Sequence, residues 1–332
     1  MNQPAVSVII PTYNSGQFVG HAIESVLAQS FDDVEIIVVD DGSTDGTASR
    51  VGTYGAKVRY VERPHAGPGA ARNHGAGLAR AEWLAFLDAD DFWYPHKLAD
   101  QLALVEQHPM LDYITGNFHI VDEDGCLMGE SFADHSMVAC EAGDVNRPGV
   151  VFGPESRAQY ARDRFGICTT MLVRADLFHR VGGFSQRFYQ AEDIHLMLRL
   201  VGAARSFGAA RRPVAAYRRR NGSTSHRQAE QRHRVTAKAL RDLLRYHALP
   251  RSMAQAVREQ VAETQYDLAY LLARQGRRLS AMIAAGRSFL TRPGRRGLRM
   301  LVSVNMPIRE DPPEAPSSWI DPVELFRFGV IV

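Results

Sequence analysis

Short apolar runs alternate with amphipathic ones through the first third of the chain. Ala5–Ile10 is a continuous β-branched run of strand type, closed by Pro11-Thr12-Tyr13-Asn14. Ser15 or Asn14 can cap a helix running through Gln29, with Ile23, Val26 and Leu27 on one face. Glu35–Val39 predicts a second buried strand, ending in Asp40-Asp41-Gly42-Ser43, after which Thr44 or Asp45 starts the next helix. Val58–Val61 predicts a third, shorter strand and Glu82–Leu87 a fourth. Between them, Gly67–Arg80 is rich in Gly and Ala and helical in its second half; Lys97–Glu106 is a helix with Leu98, Leu102 and Val105 on one side.

This alternation predicts an α/β fold, an open and mostly parallel sheet with helices on both faces. In such sheets ligands sit at the carboxyl ends of the strands, and the polar motifs all follow strands, so they converge on one edge. Asp122–Arg164 is polar and turn-rich, which predicts a long connection of the lid or binding-loop kind. Regularity returns with a strand at Thr169–Arg174, a turn at Val181-Gly182-Gly183-Phe184, and a helix at Ala191–Leu200 with an acidic first turn. From about Gln228 the pattern is purely helical, and the tail after Asn305 is Pro-rich with an apolar end.

Composition narrows the class. With 332 residues, 45% hydrophobic and 23% charged, the chain reads as a globular protein of one large domain with an appendage, or of two domains. No apolar run reaches about 18 residues, so no transmembrane helix is expected. The first residues lack a basic region and a cleavage site, so a cytoplasmic protein is expected. Cys126, Cys140 and Cys168 are widely spaced and odd in number, which fits reduced thiols better than a disulfide frame or a zinc site. The net charge of +2 conceals a split: residues 1–203 carry −12 and residues 204–332 carry +14. Residues 271–299 hold eight Arg and no acid. The basic part predicts contact with an anionic partner: anionic lipid at a membrane surface, a lipid-linked diphosphate, or nucleic acid. No nucleic-acid motif accompanies it, so nucleic acid is not expected.

The chemistry gathers at EWLAFLDADD, residues 82–91. A buried strand that ends in Asp88, Asp90 and Asp91 crowds like charges beside a low-dielectric core. Hard oxygen ligands at this density suit Mg²⁺ or Mn²⁺ bridging to a diphosphate. The plainer alternative is a strand end whose Asp residues cap the next helix.

Five motifs in order, VSVIIPTYN (6–14), VVDDGSTDGT (38–47), ARNHG (71–75), FLDADD (86–91) and VGGFSQRF…AEDIHLMLRL (181–200), resemble those of family 2 glycosyltransferases of the GT-A fold. The resemblance covers roughly residues 5–225. It implies a GT-A domain over 1–225, with a nucleotide-binding half (1–120) and an acceptor half (121–225), followed by a basic helical region over 226–332. It implies inverting transfer of a sugar from a UDP- or dTDP-sugar to a hydroxyl of a glycan or lipid-linked acceptor, of the kind used in surface polysaccharide or glycolipid synthesis. By resemblance, Pro11, Thr12, Tyr13 and Asn14 hold base and ribose, and Asp41 accepts from the N–H of the base while Asp40 is structural. Arg72 grips the diphosphate with its fork. Asp90 ligates the metal, Mn²⁺ or Mg²⁺, and Asp88 meets the ribose or metal-bound water. Asp193 is the general base and Glu192 orients the acceptor. Asn73 supports local structure, and Asp91 caps the helix after Pro95. One departure stands out. The family often continues Tyr-Arg-x-His, with a His that ligates the metal, whereas here Arg220 occupies that position and is placed to contact the diphosphate. That departure sustains a rival reading, a non-catalytic sugar-nucleotide-binding or scaffold protein with a degenerate metal site. A nucleotidyltransferase would need a Gly-rich basic loop directly after the first strand, and PTYNSG supplies none.

Overall fold

The computed structural model describes residues 3–134, 136–139, 148–219 and 229–294. Arg220, and the basic and Pro-rich tail beyond residue 294, lie outside the described residues. The first half opens with β1 (Val6–Thr12), α1 (Val19–Leu27), β2 (Val34–Asp40), α2 (Thr47–Gly52), β3 (Arg59–Glu62), α3 (Pro68–Leu78) and β4 (Trp83–Phe86). It continues with β5 (Phe92–Trp93), α4 (Lys97–Gln107), β6 (Leu111–Val121) and β7 (Leu127–Glu130). Then come α5 (Ser136–Ala139), β8 (Gly149–Phe152), α6 (Arg157–Asp163), β9 (Leu172–Arg174), α7 (Ala175–Arg180) and α8 (Glu192–Ala203). The described residues close with β10 (Ser206–Arg218) and three helices, α9 (Ala229–Tyr246), α10 (Arg251–Arg274) and α11 (Arg278–Thr291).

Among the described residues, ten strands join one sheet of order β3-β2-β1-β4-β9-β6-β10-β5, with β7 added on β6 and β8 on β10. Its first half is parallel, as β1 pairs in parallel with both β2 and β4. Beyond β4 it is mixed, because β9 runs antiparallel to both β4 and β6 while β6 and β10 are parallel. Every residue of β1 and of β4 is buried, as expected of strands covered on both faces.

The local differences from the sequence expectation have physical causes. The helix after β1 begins at Val19, without a side-chain cap. The Ser15 hydroxyl instead donates to the Tyr13 carbonyl, and the backbone N–H groups of Ser15 and Gly16 donate to Thr47 and Asp45. The loop after β1 is thus braced by the loop after β2. Helix α3 is complete from Pro68, not helical in its second half alone, because its glycines serve close packing: a Cβ on Gly75 would lie 2.5 Å from Ile9. Asp91 does not cap the helix after Pro95. It is buried and accepts from the Thr169 hydroxyl (2.6 Å) and the Arg218 N–H (2.9 Å), tying β10 to the end of β4. The stretch 122–164 is not one long loop, since it includes β7, β8 and α6.

Helices α9 and α10 are not a separate body. Leu240, Leu243, Met253, Val257 and Val261 belong to the same buried cluster as Leu196 and Leu200 of α8. Helix α11 rests on the far half of α10 through Ala281, Ala284 and Ala285 against Leu268 and Leu272.

Candidate active site

The carboxyl ends of β1, β2 and β4, the start of α8 and the end of β10 surround a cavity of about 810 Å³. Of the residues singled out in the sequence, Pro11, Thr12, Tyr13, Asp41, Arg72, Asp88, Asp90, Glu192 and Asp193 line it. Asn14 does not. It sits in the left-handed region (φ 47°), and its side chain accepts from the Thr44 N–H while its own N–H donates to Ser43. Asn14 therefore shapes the loop.

Asp40 and Asp41 take different positions. Asp40 is structural, accepting from the Ser43 N–H and the Tyr60 hydroxyl (2.7 Å each). Asp41 faces the cavity, but its oxygens are already engaged by Arg63 Nη1 (2.6 Å) and by the N–H groups of Ala66 and Gly67. It therefore fixes the loop that leads into α3. That loop carries His65, whose ring lies 4.3 Å from Tyr13 and whose Nε2 is 3.2 Å from the Tyr189 hydroxyl. Tyr13, His65 and Tyr189 form an aromatic rim suited to a flat ring. His65 and Tyr189 were not singled out in the sequence, where each stands alone between unrelated motifs. The one local sign is Gly67: at φ 95°, its missing Cβ leaves room for the Tyr189 ring.

Arg72 is buried at the centre of the site. Nη2 bonds Asp88 Oδ1 at 2.6 Å and Nη1 bonds Glu192 Oε1 at 3.0 Å, so one guanidinium on α3 holds both the end of β4 and the start of α8, the latter 120 residues along the sequence. Its Nε has no partner among the described residues. The fork expected to hold a diphosphate is thus spent on two carboxylates in this state. Asn73, one residue on, clamps the turn before α8: its amide donates to the Phe184 carbonyl and accepts from the Phe184 N–H, both at 2.8 Å. Ala191, directly before Glu192, takes a left-handed conformation (φ 62°), which costs a residue with a Cβ about 1–2 kcal/mol. Such strain next to the two acids is typical of functional positions.

The charges are set by burial. Withdrawal from water raises Glu192 to about 7, repulsion from Asp193 adds to this, and Arg72 opposes it. Asp193 is raised for the same first reason, and the Ile194 N–H and Arg72 hold it back. Asp91 is pushed well up by burial and then by Asp90 and Asp88. A strand end with three adjacent acids fits a hard divalent cation, and the two that line the cavity, Asp88 and Asp90, offer oxygen donors to one. From the C-terminal helices, Arg232 and Thr236 of α9 also line the cavity. Neither was visible as a site residue, because no motif extends past residue 225.

Residues 7–182, just over half of the chain, match the family described as Glycosyl transferase family 2. An uncharacterized glycosyltransferase of Rickettsia felis is 30% identical over 204 residues, covering 60% of this chain and 32% of its own length. The match thus spans about a third of that relative. Among solved structures, S. aureus TarS in complex with UDP-GlcNAc superposes with a TM-score of 0.68 at 19% identity, covering 90% of this chain and 88% of that one. The mannosyltransferase PcManGT from Pyrobaculum calidifontis, in complex with GDP-Man and Mn²⁺, gives 0.59 at 17% identity, covering 91% and 80%. At these identities the structural likeness establishes the fold, and with the family match it leads to one conclusion: this chain belongs to glycosyltransferase family 2.

Proposed function

We propose that the chain is an inverting, metal-dependent glycosyltransferase that moves a sugar from a UDP-sugar, or a dTDP-sugar, to a hydroxyl of a glycan or lipid-linked acceptor. The observation that carries this reading is the convergence of Arg72, Asp88, Asp90, Glu192 and Asp193 on one cavity from segments far apart in sequence. The uridine preference draws support from the TarS neighbour, whose structure holds UDP-GlcNAc.

In this reading Tyr13, His65 and Tyr189 receive the base, and Pro11 and Thr12 flank it. Asp90 and Asp88 would hold Mn²⁺ or Mg²⁺, which would supply positive charge for the departing diphosphate. With Asp88 engaged there, one arm of the Arg72 guanidinium would be open to phosphate oxygens. Asp193 takes the proton of the acceptor hydroxyl as its oxygen bonds to the anomeric carbon, and the bond to the diphosphate breaks on the opposite face. Glu192 orients the acceptor, with Arg232 and Thr236 of α9 lining the same cavity. The basic C-terminal helices hold the protein at an anionic membrane surface that carries a lipid-linked acceptor. Among the described residues no helix is long and apolar enough to cross a membrane.

A screen of nucleotide sugars with Mn²⁺, read as release of nucleoside diphosphate, tests the reading. UDP- or dTDP-sugars should be consumed, with activity lost in EDTA and in Asp90→Ala. Undiminished turnover in excess EDTA would overturn the metal assignment. Preference for GDP-sugars would overturn the base assignment, and binding of UDP-sugars with no turnover for any acceptor would favour the non-catalytic alternative.

A further inference from the structure

Two residues along α8 from Asp193, His195 is almost completely buried. Its Nε2 lies 3.2 Å from Oδ2 of Asp242 on α9, and Nε2 of His247, just past the end of α9, lies 3.9 Å from the same oxygen. The two imidazoles meet edge to face at 5.1 Å, and one ligand atom from each of the three residues lies within 4.8 Å of the others. Ligand atoms about 2.0–2.1 Å from a tetrahedral ion stand about 3.3 Å from one another. The first pair is already at that separation, and the second needs to close by about half an ångström.

The surroundings suit a cation better than the two nearby arginines suggest. Arg187 Nη1 holds the other oxygen of Asp242 at 2.8 Å, which orients the carboxylate as outer-shell partners of metal ligands do, and Arg187 itself is largely exposed. Arg199 spends its guanidinium on the carbonyls of Val181, Gly183 and His195. Nε2 of His195 is the ring nitrogen that meets the cluster, and Nδ1 has no partner among the described residues.

We propose that His195, Asp242 and His247 form a second metal site, separate from the carboxylates of the cavity, for a divalent transition-metal ion of the zinc class. Two imidazoles and a carboxylate are the donor set such ions favour over Mg²⁺. His247 is about one-third exposed, so an ion or a water could reach the three donors from its side. The ion clamps α9, which carries Arg232 and Thr236 on the cavity, to α8, which carries the two acids. Its role is to fix the acceptor side of the site, not to take part in transfer.

The test uses the full, tag-free chain after chelator treatment. Zn²⁺ is titrated by calorimetry and Co²⁺ by visible absorption, in wild type, Asp90→Ala and His247→Ala, with His247→Gln as a second ligand variant. The expected result is one Zn²⁺ per chain in wild type and in Asp90→Ala, and an intense four-coordinate Co²⁺ band. Both ligand variants should weaken Zn²⁺ binding by at least about tenfold, the scale on which even outer-shell partners matter. Matching melting curves of the metal-free wild type and variant chains separate ligand loss from unfolding. Absence of Zn²⁺ binding in Asp90→Ala, or equal binding in both His247 variants and wild type, overturns the proposal.

Discussion

Glu192 and Asp193 are neighbours in the chain that face one cavity, and burial favours the protonated form of both, which leads to two opposed expectations. Asp193→Asn keeps size and hydrogen bonding but cannot accept a proton. Turnover should fall by about 10²–10⁴, while the dissociation constant for the donor stays within about twofold because no nucleotide contact is assigned to Asp193. Normal turnover in this variant, with Glu192→Gln dead, would reverse the two roles. Glu192 also bears on stability. Its native value of about 7 lies above the ordinary carboxylate value, so the folded chain binds the proton more tightly than the unfolded one. The stability this contributes is fully present below about pH 4.5 and is lost as pH rises toward 7. Glu192→Gln mimics the neutral form and still accepts from Arg72. It should be more stable than wild type at pH 8, by up to about 3 kcal/mol, with the difference vanishing near pH 4.5 in parallel urea titrations. A variant less stable at pH 8 would show that the Arg72 ion pair outweighs desolvation. At this scale the acids were legible because each lies in a local motif. The partnership of Arg72 with Glu192 was not, since the two are 120 residues apart and only the fold brings them together.

The elements that read clearly from sequence are those whose apolar residues are contiguous, such as β1 and β4. Strands β6 and β10 lie at the heart of the mixed half of the sheet, yet neither stands out. Asp112, Thr115 and Asn117 interrupt β6, and their partners come from elsewhere: Asp112 pairs with Arg205, Thr115 with Thr170, and Asn117 accepts from the Phe132 N–H. In β10 a bulge between Ala210 and Ala215 lets Arg211-Arg212-Pro213 leave the ladder, and Gly and Ala fill much of the rest. Helix α3 shows the same tension, with poor intrinsic propensity rescued by packing. Gly75→Ala would place a methyl 2.5 Å from Ile9 Cγ2 and 3.1 Å from Val39 Cγ2. Overpacking of this kind costs about 1–3 kcal/mol, more than the gain of up to about 1 kcal/mol from replacing Gly by Ala in a helix. Gly77→Ala, in the same helix, meets nothing within 4 Å and should gain that propensity. Urea denaturation should therefore move the two variants in opposite directions. Equal stabilisation of both would mean that α3 stands off β1 by more than this packing indicates.

Across the whole molecule, the charge split of −12 and +14 divides an acidic site-bearing body from a basic helical end. Helix α11 gives that end its form. Its inward face is made of small residues, Ala281, Ala284, Ala285 and Ser288, while the larger apolar ones, Leu279, Met282, Ile283 and Leu290, point to solvent. A helix that buries alanines and exposes leucine and isoleucine is arranged for a second surface. Arg277, Arg278, Arg287 and Arg292 lie along it or at its ends, so a complementary surface would be both apolar and anionic. An anionic bilayer meets both conditions, at about 1 kcal/mol per basic residue near the headgroups. The chain should co-sediment with vesicles containing phosphatidylglycerol at low salt and much less at 1 M, where the screening length falls to about 3 Å. Leu279→Glu combined with Ile283→Glu should abolish binding at low salt without changing the melting temperature, since both side chains are exposed. Failure to bind at low salt, or self-association through this face in place of vesicle binding, would overturn the assignment. If binding holds, α11 sits at the lipid surface and α10 and α9 connect it to the cavity wall at Arg232 and Thr236, the side from which a lipid-linked acceptor would have to enter.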